Sequence, residues 1–341
     1  MGQIFTIGLD LAKHVFQIHG ADRDGAVVLR KRLRRDQLLR FFAGLPGCTV
    51  AMEACGGAHH WAREIGRLGH KVKLIAPAYV KPFVKRQKND MADAEAICEA
   101  AQRPTMRFVP VKSEEAQASA LVFRTRDLLV RQRTQLINAL RGHMTEFGMV
   151  VAQGPMHVAK LIAIVGDPAS GLPEPARIVL GVLIAEMQAL DERVLRLDAE
   201  IVRRAKEDPV AKRLMTIPGI GAITATALVA LAPSAATFRR GRDFAAWLGL
   251  TPIQRSSGGK ERLGRTSRMG ERTLRRLLII GASAVAGWAS RKGPTPGTWL
   301  ASMMSRKPPM LVRVALANKM ARTVWALLAH GGVYRAPAVA A

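Results

Sequence analysis

Ile4-Phe5-Thr6-Ile7-Gly8-Leu9-Asp10 is a short apolar run that ends on a carboxylate. Residues 3–9 read as a strand. Cys48-Thr49-Val50-Ala51-Met52-Glu53 has the same form, an apolar run closing on an acid. Between them, residues 13–19 and 26–33 read as antiparallel neighbours of the first strand, with Asp22, Asp24 and Gly25 as the turn.

The pattern continues outward. Residues 36–44 read as a short helix after a possible cap at Asp36, and 58–68 as a helix ending before Gly69. Lys71 to Ile75 reads as a strand closed by Pro77, and 89–101 as a helix stopped before Pro104. Residues 107–111 are expected to add one last strand. The order β-β-β-α-β-α-β-α is that of the RNase H-like α/β fold. In that fold the first strand's middle and the fourth strand's end place carboxylates side by side.

The helix opens with Asn89-Asp90-Met91-Ala92-Asp93-Ala94-Glu95-Ala96, so Asp90 and Asp93 share one face at i,i+3. Each acid has a plain structural reading. Asp10 can cap a turn, Glu53 can face solvent, Asp90 can be an N-cap, and both helix acids suit the helix dipole. Together, two strand-borne and two helix-borne carboxylates make a cage for divalent metal. Two hard cations about 4 Å apart activate a nucleophile and stabilise a leaving oxygen in phosphoryl transfer.

Composition points the same way. The 341 residues carry 52 Lys+Arg against 26 Asp+Glu, a formal net charge of +26. Metal-holding carboxylates in so cationic a chain favour phosphodiesters as substrate. An apolar fraction of 49% excludes general disorder, and the length favours two domains. No segment reaches the ~18 uninterrupted apolar residues of a membrane span, and no secretory signal is evident. Cys48, Cys55 and Cys98 form no disulfide framework or zinc-finger spacing, which suits a reducing compartment.

The charge is unevenly divided. Residues 1–112 net +9, residues 113–208 net −1 and residues 209–341 net +18. These segments are the expected domains: an α/β catalytic head, a helical arm and a basic, mainly α tail. The tail is expected to dominate affinity for nucleic acid, because each phosphate neutralised releases counterions.

In the arm, residues 113–148 read as one long helix and 150–175 as a loop-rich interruption with Gly154, Pro155, Gly166, Pro168, Gly171, Pro173 and Pro175. A second long helix follows at 176–206, with Leu183, Met187, Leu190, Val194, Leu197 and Ile201 as a heptad-like, coiled-coil seam. The two helices can pair with each other or join another subunit. In the tail, Ile217-Pro218-Gly219-Ile220-Gly221 between two helical runs is the signature of a helix-hairpin-helix motif. Its Gly219 and Gly221 allow a tight turn whose amides can hold a phosphate. Residues 254–276 are the most basic stretch, with Arg255, Lys260, Arg262, Arg265 and Arg268 around Ser256-Ser257-Gly258-Gly259. A serine in such a setting is most often a plain loop residue. Residues 273–290 and 309–328 read as helices closing the tail.

Five stretches now stand in order: Ile7–Lys13, Met52–Gly57, Lys88–Ala94, Ile217–Gly221 and Gly249-Leu250-Thr251-Pro252. In this combination the chain resembles the DEDD transposases of insertion-sequence family 110, and His59-His60-Trp61-Ala62-Arg63 is similar to their 1111 branch. The resemblance implies a RuvC-like head with Asp10, Glu53, Asp90 and Asp93 as ligands for Mg²⁺ or Mn²⁺. It implies a transposase tail with Ser257 as nucleophile, the adjacent Ser256 leaving the register open by one residue. Cys55 stands where many such proteins carry threonine. The resemblance further implies donor and target DNA as partners, a structured bridge RNA, a tetramer built as a dimer of dimers, and a bacterial cytoplasmic, nucleoid-associated location. Two other classes fit the same residues: a hydrolytic junction nuclease with water as nucleophile, and a non-catalytic nucleic-acid-binding protein.

Overall fold

The structure, a computed structural model, describes residues 3–85 and 89–336; Lys88, which opens one of the motifs above, lies outside them. The chain divides into two compact units, Met1–Gln117 and Ala118–Ala341, each taken in turn below.

The first unit is built on a mixed sheet of six strands: β1 (Thr6–Asp10), β2 (Val15–Ala21), β3 (Val27–Arg34), β4 (Thr49–Glu53), β5 (Lys71–Ile75) and β6 (Phe108–Val109). Their spatial order is β3-β2-β1-β4-β5-β6. β1, β2 and β3 are antiparallel, whereas β1, β4 and β5 run parallel. The helices are α1 (Leu38–Ala43), α2 (Ala58–Arg67), the one-turn α3 (Pro77–Val80) and α4 (Asp90–Ala101).

Strand alternation assigns the two faces. Ile7, Leu9, Phe16, Ile18, Val50 and Met52 point to one side, where they meet Phe42 of α1 and Trp61 and Ile65 of α2. On the other side Ala51 and Ile75 pack on Ala96, Ile97 and Ala100 of α4. Gly8 lies on this second face, and α4 comes so close that a Cβ there would sit 2.1 Å from the Ala94 carbonyl oxygen. Here glycine is required by proximity alone.

The expected elements of this unit are present with shifted edges. Asp36 is no cap for α1; it sits in a 3-10 turn, Arg35–Gln37, that leads into the helix. β2 begins two residues later than expected and runs on to Ala21, through a register irregularity at Gly20/Ala21.

The second unit is mainly helical. Helix α5 (Glu114–Glu146) is followed by α6 (Val158–Gly166), α7 (Glu174–Glu207), α8 (Pro209–Leu214), α9 (Ala222–Leu231) and α10 (Gly241–Trp247). Then come a hairpin of β7 (Pro252–Gln254) and β8 (Leu263–Thr266), and helices α11 (Arg272–Lys292), α12 (Trp299–Arg306) and α13 (Pro309–His330). The unit boundary falls near the start of α5. Ion pairs Arg126–Asp198 and Arg133–Asp191 tie α5 to α7 in antiparallel register. The two long helices thus pair within one chain.

The loop-rich stretch at 150–175 contains α6, which the prolines on either side had masked. Leu161 and Val165 of α6 join Leu140, Met144, Leu180 and Ile184 in a local core. A larger core gathers Ile201, Leu214, Leu228, Phe244, Leu278 and Val324, one from each of six helices.

Gly8→Ala should therefore push α4 off the sheet. The expected cost is about 1–3 kcal/mol or more, as for other overpacked sites. Gly66→Ala, whose Cβ would meet nothing within 4 Å, serves as the neutral or mildly stabilising comparison. Thermal melts of the two variants check this, and a Gly8→Ala protein as stable as the unsubstituted chain would contradict the close packing.

Candidate metal centre and serine hairpin

Asp10 is the last residue of β1, half-buried on the α4 face. β1 and β4 are parallel with Leu9 opposite Met52. Glu53, one residue on, consequently emerges beside Asp10 on the same face. Asn89 starts α4: its side chain accepts a hydrogen bond of 2.8 Å from the Ala92 amide. The capping role considered for Asp90 thus belongs to Asn89. Asp90 and Asp93 are left in the first turn with their carboxylates turned toward Asp10.

Asp10, Asp90 and Asp93 each offer an oxygen, and these oxygens lie within 4.8 Å of one another. Glu53 is outside that tightest group but close enough to act on Asp10 through its charge. Three carboxylates so close repel one another unless a cation or a proton intervenes. The Asp10 carboxyl responds: burial first, then the charges of Asp93, Asp90 and Glu53, push its pKa up to about 6. A hydrogen bond from the Leu11 amide opposes the shift. The donor set consists of hard oxygens alone, which fits a hard divalent cation such as Mg²⁺ or Mn²⁺. Cys55 lies nearby; although the residue is exposed, partial burial of its thiol and then the charges of Glu53 and Asp10 push it up. A thiol kept protonated is a poor metal ligand.

In the second unit the serines lie on the β7–β8 hairpin. The Arg255 amide donates to the Arg262 carbonyl at 2.8 Å, and the Lys260 amide to the Ser257 carbonyl at 3.1 Å. Gly258 (φ 56°) and Gly259 (φ 73°) make the turn between them, in the left-handed region that glycine tolerates. The two serines differ. Ser256 Oγ accepts from the Arg262 amide at 3.1 Å and from Gln254 Nε2 at 3.3 Å, which binds it into the hairpin. Ser257 Oγ makes no hydrogen bond among the described residues, and Ser257 is exposed at the tip.

The cations around them also divide. Arg275 donates to the Leu248 and Met269 carbonyls, and Arg276 pairs with Asp127, so both serve the fold. Arg255, Lys260, Arg262, Arg265 and Arg268 are exposed and have no ion pair among the described residues.

The glycines of the Ile217–Gly221 turn separate likewise. Gly219 (φ 84°) packs backbone to backbone on α11; a Cβ would come 2.7 Å from the Gly281 carbonyl oxygen. Glycine is required there both by this packing and by the left-handed backbone. Gly221 begins α9 with open space where a Cβ would lie.

Comparison with known proteins bears on both regions. The DEDD transposase family model of the IS110 type, described as "Transposase", matches residues 7–149, and the model described as "Transposase IS116/IS110/IS902 family" matches residues 211–294. The chain is 50% identical to a probable family 20 transposase of Pseudomonas aeruginosa, over 96% of this chain and 98% of that one. It is 40% identical to the transposase for insertion sequence element IS1328 of Yersinia enterocolitica, over 98% of this chain and 99% of that one. It is also 40% identical to the IS1111A transposase of Coxiella burnetii, over 98% and 92% of the two chains.

The raised Asp10 pKa has a definite sign. The stability contributed by protonated Asp10 is fully present below about 3.8 and lost as pH rises through about 6. Asp10→Asn removes that loss. The metal-free variant should melt a few degrees higher than the unsubstituted protein at pH 7.5, and the gap should close near pH 4. Mn²⁺, expected to raise the melting temperature of the unsubstituted protein, should have little effect on the variant. An Asp10→Asn protein that melts lower at pH 7.5 would contradict carboxylate crowding.

Proposed function

The chain belongs to the IS116/IS110/IS902 family of transposases, and from that premise we propose that it cuts and rejoins the DNA of its own mobile element by serine attack on a phosphodiester held at a carboxylate-lined cation site. The observation that carries the reading is the gathering of Asp10, Asp90 and Asp93 oxygens within 4.8 Å. With Glu53 as the fourth carboxylate, these residues would hold Mg²⁺ or Mn²⁺. When bound, such cations withdraw charge from the phosphate being cut and from its leaving oxygen.

The rest of the chemistry falls to the chain's own groups. Ser257 Oγ forms a bond to phosphorus, the bond from phosphorus to the 3′ oxygen breaks, and that oxygen takes up a proton. The product is a 5′-phosphoserine link and a free 3′-OH. A 3′-OH from another strand then attacks the link and releases the serine. The phosphodiester's energy is conserved in the ester, so no ATP is needed. Arg255, Lys260 and Arg262, without ion pairs among the described residues, suit the charge that builds on phosphate during both steps. The free hydroxyl of Ser257, against the engaged hydroxyl of Ser256, favours Ser257 as nucleophile.

Around this centre we propose the following organisation. Residues 1–112 are an RNase H-like, RuvC-like head; antiparallel β1–β3 followed by parallel β4 and β5 support that reading. Residues 113–208 are a helical arm, and residues 209–341 are a serine-bearing domain whose α8–α9 turn is a helix-hairpin-helix motif. The +18 tail suits DNA and an RNA guide alike. Donor and target DNA, a bridge RNA, and a tetramer in which carboxylates and serine come from different subunits follow from the family resemblance, as does work on the bacterial nucleoid. No helix among the described residues is long and apolar enough to cross a membrane.

The test is a suicide DNA substrate nicked near the cleavage site, followed by a denaturing gel and peptide mapping. The unsubstituted protein should leave an adduct on Ser257. Ser257→Ala should bind DNA and metal yet form no adduct, and Ser256→Ala should keep the adduct with a looser hairpin. Asp10→Ala, Glu53→Ala and Asp93→Ala should each reduce recombination to background. Cleavage that survives in both serine variants and yields a free 5′-phosphate would make this a hydrolytic nuclease instead.

A further inference from the structure

The sheet register carries a feature that the four acids do not use. Asp10 of β1 lies directly opposite Gln17 of β2, and Gln17 lies directly opposite Arg32 of β3. Directly opposed residues point to the same face of a sheet. Asp10, Gln17 and Arg32 therefore form one row across three strands on the α4 face. With strands about 4.8 Å apart, the Arg32 backbone lies about 10 Å from that of Asp10.

The neighbouring rows are closed. In the row before, Gly8 stands opposite His19 and His19 opposite Arg30. There α4 lies against Gly8, His19 is buried, and Arg30 pairs with Glu95 of α4 at 3.7 Å. In the row beyond, Arg34 pairs with Asp36 at 3.6 Å. On the opposite face Lys31 lies over the Phe41 ring. Of the β3 cations on the α4 face, Arg30, Arg32 and Arg34, only Arg32 has neither an ion pair nor a hydrogen bond from its side chain among the described residues, and it is exposed. A guanidinium left without a protein acid, on an edge strand beside a crowd of carboxylates, is well placed to take an external anion.

We propose that Arg32, with Gln17 between it and Asp10, is a phosphate-holding subsite for the DNA strand that enters the carboxylate site. The subsite rests on the reading of those carboxylates as the place of cutting. Its occupant is a phosphate flanking the one being cut, on the same strand. The guanidinium grips that phosphate in a fork of two hydrogen bonds and holds the strand in line across β2 and β3. The same cation keeps a polyanion beside a carboxylate cluster that would otherwise repel it. Arg32 is a positioning residue: it acts by fixing the strand, and it does not touch the reacting atoms.

The experiment uses the full chain with a duplex oligonucleotide spanning the element's own end, in single-turnover cleavage and in binding by fluorescence anisotropy. A series of substrates carries one neutral methylphosphonate each, at successive positions beside the cut. Arg32→Ala should raise the DNA concentration for half-maximal cleavage about tenfold, with a smaller change in the saturated rate. It should also lower the slope of log affinity against log salt by about one unit. One methylphosphonate position should reproduce that loss in the unsubstituted protein and add nothing further in Arg32→Ala. Arg32→Lys should recover part of the affinity, since it keeps the charge and loses the fork. The inference is overturned if Arg32→Ala binds and cleaves as the unsubstituted protein does. It is equally overturned if the two losses multiply at every position. Asp10→Ala, run alongside, separates the layers: a variant that still cuts removes the underlying reading, whereas one that fails to cut while Arg32→Ala behaves normally removes the subsite alone.

Discussion

The approach of α4 to Gly8 is the constraint on which the first unit's chemistry depends. Close contact at Gly8 fixes where the helix starts relative to the end of β1. The Asn89 cap then sets which residues occupy the first turn. Asp90 and Asp93 meet Asp10 because both conditions hold. A larger residue at position 8 lifts the helix and separates the carboxylates without altering any of them. Packing and the placement of the carboxylates are thus coupled at a residue without a side chain.

Crowding Asp10, Asp90 and Asp93 has an electrostatic cost. No cation of the first unit pairs with Asp10, Asp90 or Asp93 among the described residues, although the chain has twice as many bases as acids. Among the described residues Lys85 and Arg30 engage Glu95 and Arg35 lies over Trp61, whereas Arg32 stays unpaired. Burial and the neighbouring charges of Asp93, Asp90 and Glu53 accordingly raise the pKa of Asp10.

Much of this was legible in the sequence, for physical reasons that differ from element to element. The runs ending at Asp10 and Glu53 announce strands because a short buried strand needs an unbroken apolar run. The i,i+3 spacing announces that Asp90 and Asp93 share a helix face. Helix α6 was hidden because the prolines and glycines around it look like a loop, and only its contacts with α5 and α7 justify it. The different burdens of Gly219 and Gly221 were also hidden. Sequence records that a glycine is present, while part of the reason at Gly219 is the carbonyl of Gly281, 62 positions away. The row from Asp10 to Arg32 was beyond reach for a similar reason. It depends on strand register, which a shift of one residue would reverse.

The hairpin around Ser257 shows how neighbouring residues of one type can be given separate tasks. Backbone hydrogen bonding of a two-stranded ribbon is weak in isolation. Ser256 adds a side-chain acceptor for the Arg262 amide, and Gln254 supports it. The ribbon's shape therefore uses one hydroxyl, and the adjacent hydroxyl stays free. The cations follow the same logic, with Arg275 and Arg276 spent on carbonyls and on Asp127 while Arg255, Lys260 and Arg262 keep their charge exposed. A nucleophilic serine needs both conditions together: a hydroxyl without a competing partner, and positive charge not already neutralised by the protein. Neither condition follows from counting serines and arginines. Both follow from asking which of them the fold has already used.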